Sequence, residues 1–526
     1  MSGRLAIIGC GSSGLVTLKT ALDTLPDWEI VCFEKSDSIV GCWGNPYPGF
    51  VSTSTKYTTQ FACFPICDAS VVDDAGKGRH EFFRDDEYGQ YLESFADQFG
   101  LCEHIQLNSH VEELKRVGES WQLIVDGQSL TFDAVVICTG LAAKPKRIDC
   151  EIEQLSAAQL NHPDGLSHIT QKKIVVVGGG ESAVDYANRL ANADLGNEVL
   201  LSLHSGVRVS PRYHPVRGVP SDFLRNRLML SVDPDIRNGL GQIFVELRIK
   251  YESLFRRLFP GQPEAPQESD ANSKRRKEWT LRLTVAAKDD LFSMFHNKSD
   301  DFLEAVGDQR IRIVGGPTDG SWSQFSPFAD ESDAPVDFSP DLIVPGIGFE
   351  STIGKLAQDQ ISLPQFYLGC CHVEHPDLFL VGFARPIIGN IPTISEMQSR
   401  LVCGLIAKEI KRPANIQQLQ EADHRRRSVR YSKLNLDLVF PVEMFPYCDR
   451  LASLMGRKAG RSFVSSPSAW WQTLVSPATT LHYVSETNEK PPADSTRYMP
   501  ATLVAFILFM KPVDWIWKVW KWIRPR

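Results

Sequence analysis

Two short stretches, Gly9-Cys10-Gly11-Ser12-Ser13-Gly14 and Gly178-Gly179-Gly180-Glu181-Ser182-Ala183, have the residue types and spacing of a phosphate cradle. In such a turn the first glycine permits a tight reversal and the second lets main chain approach a pyrophosphate. The third, which can be alanine, lets the next helix pack closely. The anion then meets a helix N-terminus, where unpaired N–H groups and the helix dipole favour negative charge. Glu34, at the end of the strand after the first cluster, could hold ribose hydroxyls. Two cradles in one chain imply two dinucleotides, and the natural pairing is a flavin with a nicotinamide that reduces it.

The elements around these clusters are those the cradle requires. Residues 5–8 form a short apolar run, residues 15–25 read as a helix and 29–33 as a second strand, a βαβ opening. The pattern repeats with an apolar run at 173–177, a helical stretch through 190 and a strand at 198–203. Between 222 and 308 amphipathic helices take over, interrupted by the polar stretch 261–277, which reads as a surface loop. Strand-like segments return at 311–314 and 341–344, and a helix is expected over 394–410. Residues 419–497 give no assignable pattern, and their end reads as a linker.

A formal charge of −8 argues against nucleic-acid binding, which calls for a basic surface. Twelve cysteines in 526 residues are too sparse for a disulfide framework and fit a reducing, intracellular setting. None are spaced C-x-x-C, which argues against a disulfide reductase. The first residues run directly into strand pattern without the arrangement of a signal peptide, and no metal site is expected.

Over residues 5–412 an ordered series of motifs resembles the flavin-containing monooxygenase family. Gly41-Cys42-Trp43 resembles its Gly-x-Trp element, and Ser52-Thr53-Ser54-Thr55-Lys56 with Phe61-Ala62-Cys63-Phe64-Pro65 resembles the segment lying over the flavin. Val136-Ile137-Cys138-Thr139-Gly140 resembles the Ala-Thr-Gly strand that links the two domains. Ser182-Ala183-Val184-Asp185 resembles the start of the nicotinamide-side helix, and Glu396-Met397-Gln398-Ser399-Arg400 the returning flavin-domain helix. The resemblance implies an α/β fold of two Rossmann-like dinucleotide-binding domains. The FAD domain would span 1–165 and return at 336–415. An NAD(P)H domain at 166–335 would carry the helical insertion 222–308, and a C-terminal region and linker would fill 416–498. It further implies that NADPH reduces FAD, that the reduced flavin reacts with O2, and that the resulting hydroperoxide oxygenates a soft nitrogen or sulfur nucleophile of a small lipophilic substrate.

The resemblance also implies roles for single residues. Thr53 stands where the family carries an Asn whose amide stabilises the hydroperoxide, and it keeps one hydroxyl donor. In the F-x-G-x-x-x-H stretch, Ser156 and Ala158 replace Phe and Gly while His162 remains. His204 stands where an Arg grips the 2′-phosphate of NADP, with Arg208 and Arg212 close behind as substitutes, so NADPH is expected and NADH stays open. Pro345-Gly346-Ile347-Gly348 replaces a second Ala-Thr-Gly-like stretch. Other outcomes are a Baeyer–Villiger oxygenase, a peroxide-releasing NAD(P)H oxidase, or an inactive nucleotide-binding scaffold.

The C-terminus has a character of its own. Ten uncharged apolar residues at 501–510 are too few to span a bilayer of about 30 Å. Beyond them Trp515, Trp517, Trp520 and Trp522 alternate with Lys518 and Lys521, a pattern suited to a membrane interface. Residues 499–526 are therefore expected to anchor the protein on a membrane surface, with the catalytic domains on the cytosolic side.

Overall fold

The computed structural model describes residues 2–44, 46–66, 81–141, 144–213, 220–258, 269–287, 297–328, 334–358, 360–456, 467–483 and 501–523. The chain begins with strand β1 (Arg4–Ile8), helix α1 (Ser12–Thr24) and strand β2 (Glu29–Phe33). Strands β3 (Val51–Thr55), β4 (Ile105–Gln106) and β5 (Ala134–Ile137) follow. β1 lies in parallel between β2 and β5, with Ile7 opposite Cys32 on one side and Val136 on the other. Leu5, Ala6 and Ile7 are fully buried, as unbroken apolar strands must be when both faces of a parallel sheet are covered. Part of that cover is an antiparallel layer, Val111–Val117, Ser120–Val125 and Gln128–Phe132, which adds Leu114, Trp121 and Leu123 to the same core.

The second unit is built from strand β6 (Lys173–Val177), helix α2 (Glu181–Leu190) and strand β7 (Glu198–Ser202). Helices α3 (Pro234–Lys250), α4 (Glu252–Leu258) and α5 (Asp270–Ala286) form the insertion, and the short strand β8 (Asn297–Lys298) closes it. Strands β9 (Ile311–Val314) and β10 (Leu342–Pro345) then complete a four-stranded parallel sheet in the order β9-β7-β6-β10.

The chain then returns to the first sheet through β11 (Phe366–Tyr367), β12 (Cys371–His372) and β13 (Leu378–Leu380). β13 pairs in parallel with β5 and gives a seven-stranded sheet in the order β11-β12-β13-β5-β1-β2-β4. Strand β14 (Ala384–Ile388) leads into helix α6 (Ile391–Ile406), which packs on α1. Ser13 and Ser395 hydroxyls meet at 2.9 Å and Thr17 and Ser399 at 2.8 Å, so small hydroxyl residues bring the two helices together.

Two expectations are corrected. The polar stretch 261–277 is not one loop: Ser269 caps Asn272 and starts α5, whose Arg275 donates to the Gly307 carbonyl. Its polar residues form a solvated helix face rather than a break, and residues 261–268 lie outside the described part. The region 419–497, unassigned from sequence, holds the rest of helix α7 (Ile416–Arg430), strand β15 (Phe440–Glu443), helix α8 (Met444–Leu454) and helix α9 (Pro467–Val475). The expected linker at 484–497 lies outside the described residues.

Buried charge ties this region to the insertion. Arg237 of α3 reaches both carboxylate oxygens of Glu443 at 3.0 Å, both side chains are nearly inaccessible, and Arg430 also donates to Glu443. Removing one member of a buried pair costs about 3–5 kcal/mol when the other charge is left alone, and because Arg430 stays on Glu443 the loss of Arg237 is expected at the lower end of that range. Arg237→Ala is therefore expected to lower the thermal midpoint sharply in calorimetry, and an unchanged midpoint would contradict this role.

The tail folds as one helix, α10 (Ala501–Ile523), running through Pro512. It docks on the insertion through Asp514, which is 2% exposed and accepts from the Asp233 N–H (2.7 Å) and from Lys518 (2.8 Å). Lys521 pairs with Asp235 at 2.7 Å. Among the described residues no helix is long and apolar enough to cross a membrane. The tail expected at a membrane surface is thus held by protein on one side, while Trp515, Ile516 and Trp522 face outward. Asp514→Ala is expected to free the tail, read as faster proteolytic cleavage near residue 500 with the rest of the chain equally resistant.

Candidate functional site

The first glycine turn closes tightly between β1 and α1. Gly9 has φ +96°, and a Cβ on Gly14 would lie 2.0 Å from the Gly9 carbonyl oxygen. Gly11 is the N-cap of α1 and offers no side chain to the first-turn N–H groups, which also have no acidic neighbour in that turn. They are left for a ligand anion. Cys10 contributes main chain only: its N–H donates to Glu34 at 2.8 Å, and its side chain is buried. The other Glu34 oxygen accepts from the Ser36 N–H (3.0 Å) and hydroxyl (2.8 Å), which fixes the carboxylate at the end of β2.

A cavity of about 700 Å³ opens over this turn. Its lining includes Gly9, Gly11, Ser12, Ser13, Glu34, Cys42, Trp43, Thr139 and Gly140, all expected from sequence. The size is that of a pocket for a sizeable organic ligand. An uncapped helix N-terminus at one part and a fixed carboxylate at another fit the diphosphate and ribose of FAD. Thr352 and Lys355, which sequence reasoning missed, also line it, and the Thr352 hydroxyl meets Thr139 at 3.1 Å and the Gly140 carbonyl at 3.3 Å. Their only sequence signal is a position just after the last strand of the second sheet. Gln398 acts at one remove: it accepts from the Gly382 N–H (3.0 Å) and donates to the Tyr447 hydroxyl (2.8 Å), so it positions Gly382 at the cavity wall.

The second turn repeats the arrangement. Gly178 has φ +117°, and a Cβ there would meet the Gly346 carbonyl oxygen at 2.3 Å. Gly180 caps α2 without a side chain, although unlike the first turn this one carries an acid, Glu181, at the helix start. Ser182 is exposed, whereas the side chains of Ala183 and Val184 pack in the buried core and leave only their main chain at the turn. Asp185 accepts from the Tyr47 hydroxyl at 2.9 Å while Arg189 covers the Tyr47 ring at 3.4 Å, a latch between the two units. Burial raises the Asp185 pKa, opposed by Arg189 and the Tyr47 hydrogen bond.

Of the residues expected at the 2′-phosphate, the two arginines are engaged elsewhere. His204 is exposed just past β7, but Arg208 is buried and donates to the Ala287 carbonyl and to Gln242. Arg212 donates to the Val51 (2.6 Å) and Ser52 (2.9 Å) carbonyls and pairs with Asp300 at 2.9 Å. Both are spent on holding the insertion to β3 and to the second unit. His162 is exposed and near Asp164, remote in role from either turn.

Beside the second turn lies a charged cluster that sequence did not disclose. Thr53, on β3, has a hydroxyl with no partner among the described residues, and its carbonyl accepts from the Lys298 ammonium. Ser54 contributes its carbonyl to the Ser52 hydroxyl and so shapes the same strand. Next to Lys298, Asn297 donates to the Gly179 carbonyl at 2.8 Å, so β8 bridges the glycine turn and the Thr53 strand. Burial pulls the Lys298 pKa down to about 8, with Asp222 pulling the other way and Arg225 adding to the fall. Asp222 accepts from the Thr55 N–H and hydroxyl (2.9 Å each) and the Thr58 hydroxyl (2.7 Å). Burial would raise that carboxyl, but Lys298 and the threonine donors outweigh it and hold it below its usual range. Burial raises Glu181, against the pull of Arg385, Lys298 and Arg225.

Comparison with known proteins agrees with this geometry. The family model described as flavin-binding monooxygenase-like matches residues 2–257. A 4-hydroxybenzoate brominase (decarboxylating) from Marinomonas mediterranea is 23% identical, over 77% of this chain and 74% of that protein. Flavin-containing monooxygenase 1 of Oryctolagus cuniculus is 24% identical, over 81% of this chain and 78% of its own length. Among solved structures, closed cyclohexanone monooxygenase superposes with a TM-score of 0.58 at 17% identity, covering 86% of this chain and 97% of that one. An oxidized steroid monooxygenase bound to NADP gives 0.56 at 17% identity, covering 87% and 98%.

Proposed function

We propose that the chain, which matches the flavin-binding monooxygenase-like family model over residues 2–257, is an FAD- and NADPH-using oxidoreductase of the flavin-containing monooxygenase family, and that it transfers one oxygen atom from O2 to a soft nitrogen or sulfur atom of a small organic substrate. The observation that carries the proposal is the pair of glycine turns, each with an N-cap glycine that leaves its helix start without a side-chain cap, the first under a cavity of about 700 Å³. Bound FAD would supply the electron relay from NADPH to O2 and the activated oxygen. The protein's part is position and environment. Glu34 and the α1 N-terminus hold one dinucleotide, and the α2 N-terminus holds the other. The Tyr47–Asp185 latch fixes one unit against the other.

A ketone-oxygenating reaction is the second reading. It is favoured by one observation: Thr53 lacks the amide expected at this place, and a buried cation, Lys298, lies beside it instead. The two readings separate in one assay, turnover with NADPH under 18O2 in the presence of amines, sulfides and ketones, followed by mass spectrometry. One 18O atom in an N- or S-oxide supports the first reading, and one in an ester supports the second. NADPH consumption that yields only hydrogen peroxide with every substrate class would overturn both.

We also infer that the protein works inside the cell at a membrane surface, with its catalytic units on the cytosolic side. The outward-facing Trp515, Ile516 and Trp522 of α10 support this, since indole rings favour the headgroup region.

A further inference from the structure

The insertion turns polar groups inward and apolar ones out. In α3 and α4, Ile243, Leu247, Tyr251, Leu254 and Leu258 follow one another at steps of three or four, and each keeps between 44% and 61% of its surface exposed. A helix packed on a protein normally does the reverse. The protein holds the polar groups between them: Gln242 accepts from Arg208 and donates to Glu246 at 2.7 Å, and Glu252 pairs with Lys277 at 3.2 Å. The chain bends back at Tyr251, because the Phe244 and Phe255 rings, eleven positions apart, meet edge-on at 5.6 Å. A straight helix would set them about 16 Å apart. Ile243 and Leu254 each stand one position before a ring of that pair. Successive helical residues are about 100° apart, so in two helices that run back along each other both lie on the same face. Leu247 and Leu258 are one turn further along that face, and Tyr251 stands at the corner.

An apolar surface of this kind marks contact with something outside the chain. Its charge says what. Lys250 and Arg257 are exposed beside it, whereas both acids between residues 239 and 258, Glu246 and Glu252, are half-buried and paired. Leucine, isoleucine and tyrosine flanked by cations suit the interface of an anionic bilayer, which takes the apolar groups among its acyl chains and the cations at its phosphates. The tail has the same character and sits on the same element. It docks on the start of α3 through Asp514 on the Asp233 N–H and through Lys521 on Asp235, and it turns Trp515, Ile516 and Trp522 outward. We propose that α3 and α4 form a second membrane-docking surface, which lays the insertion on an anionic bilayer alongside the tail. The proposal rests on the membrane reading of α10 above and extends it to the insertion. Two contacts on elements packed together fix how the catalytic units stand on the bilayer, where one tail contact would let them swivel.

The test is flotation of the full-length, FAD-loaded protein with phosphatidylcholine vesicles, with and without phosphatidylserine. The wild-type protein is expected to float with the phosphatidylserine vesicles, and less with the neutral ones, the difference shrinking in high salt. Leu247→Asp combined with Leu254→Asp should weaken partitioning about tenfold or more, the value of burying one leucine side chain. Flavin content and thermal midpoint should not change, since both side chains are exposed. Leu247→Phe with Leu254→Phe should bind as the wild type does, which separates lost apolar contact from misfolding. Lys250→Gln with Arg257→Gln should cut the preference for phosphatidylserine about tenfold. Trp515→Asp with Trp522→Asp tests the tail separately. If that variant is released while the Leu247→Asp, Leu254→Asp protein partitions like the wild type, the proposal is overturned and the tail reading stands. A wild-type protein that ignores both kinds of vesicle would overturn both. Aspartates that split a dimer in light scattering and leave vesicle binding intact would assign the surface to a second copy of the chain and also overturn the proposal.

Discussion

Gly14→Ala is expected to yield a colourless protein that does not take up FAD on reconstitution. The added methyl would sit 2.0 Å from the Gly9 carbonyl oxygen, far inside contact distance, and the atom it meets is main chain that no rotamer change can move. Relief requires α1 to lift away from β1. That lift opens the turn and pulls the N–H groups of Ser12 and Ser13 from the phosphate position, and it also strains the Ser13–Ser395 and Thr17–Ser399 contacts that hold α6. A yellow, stoichiometrically loaded Gly14→Ala protein would contradict the role given to this turn. Folding is monitored separately by circular dichroism, since the parallel core on either side of the turn is extensive.

Gly178→Ala should separate the two cradles functionally. The Cβ would meet the Gly346 carbonyl oxygen at 2.3 Å, and φ +117° is itself a backbone state that only glycine adopts readily. Strain of this kind costs on the order of 1–3 kcal/mol, and each 1.4 kcal/mol is worth about a factor of ten in affinity. The variant is expected to keep its flavin, which sits on the other turn, and to be reduced normally by dithionite. Reduction by limiting NADPH should slow by roughly 100-fold, the upper end of that strain expressed as a rate. Equal loss of dithionite reduction would mean that the change had disturbed the flavin site instead.

The parts of the fold that sequence disclosed are those whose physics is local. An apolar run, three glycines at fixed offsets and a helical stretch define a dinucleotide cradle wherever they occur, and both cradles are found where the spacing placed them. Of the cavity lining, Gly9, Gly11, Ser12, Ser13 and Glu34 were readable for the same reason, and Cys42, Trp43, Thr139 and Gly140 through the family resemblance. Lys298 was not. Its importance comes from β8, a two-residue strand that brings the end of a long insertion back to Thr53, 245 positions earlier in the chain. Nothing in the neighbourhood of one lysine announces such a crossing. Arg208 and Arg212 illustrate the converse. Their charge and their place after β7 suggested a phosphate grip, yet main-chain carbonyls of Ala287, Val51 and Ser52 claimed them, because a buried carbonyl without a donor is costly.

The C-terminal half failed as a sequence reading for a related reason. Helix α7 is charged along most of its length, and Asp423 and Arg427 that look solvated in a list of residues are buried as an ion pair at 2.9 Å. Amphipathic periodicity cannot announce a helix whose inner face is polar and paired. The tail gave a different lesson. Its tryptophans and lysines fit an interface, but Asp514, the residue most at odds with lipid, is the one the protein uses to dock the helix.

The account depends on two coenzymes meeting across one cleft, and anaerobic mixing of the purified FAD-loaded protein with NADPH in a stopped-flow spectrophotometer tests that most directly. The flavin's visible absorbance should bleach in a phase whose rate saturates with NADPH, then recover on admission of O2. A flavin that NADPH leaves fully oxidised, while dithionite bleaches it at once, would contradict the account.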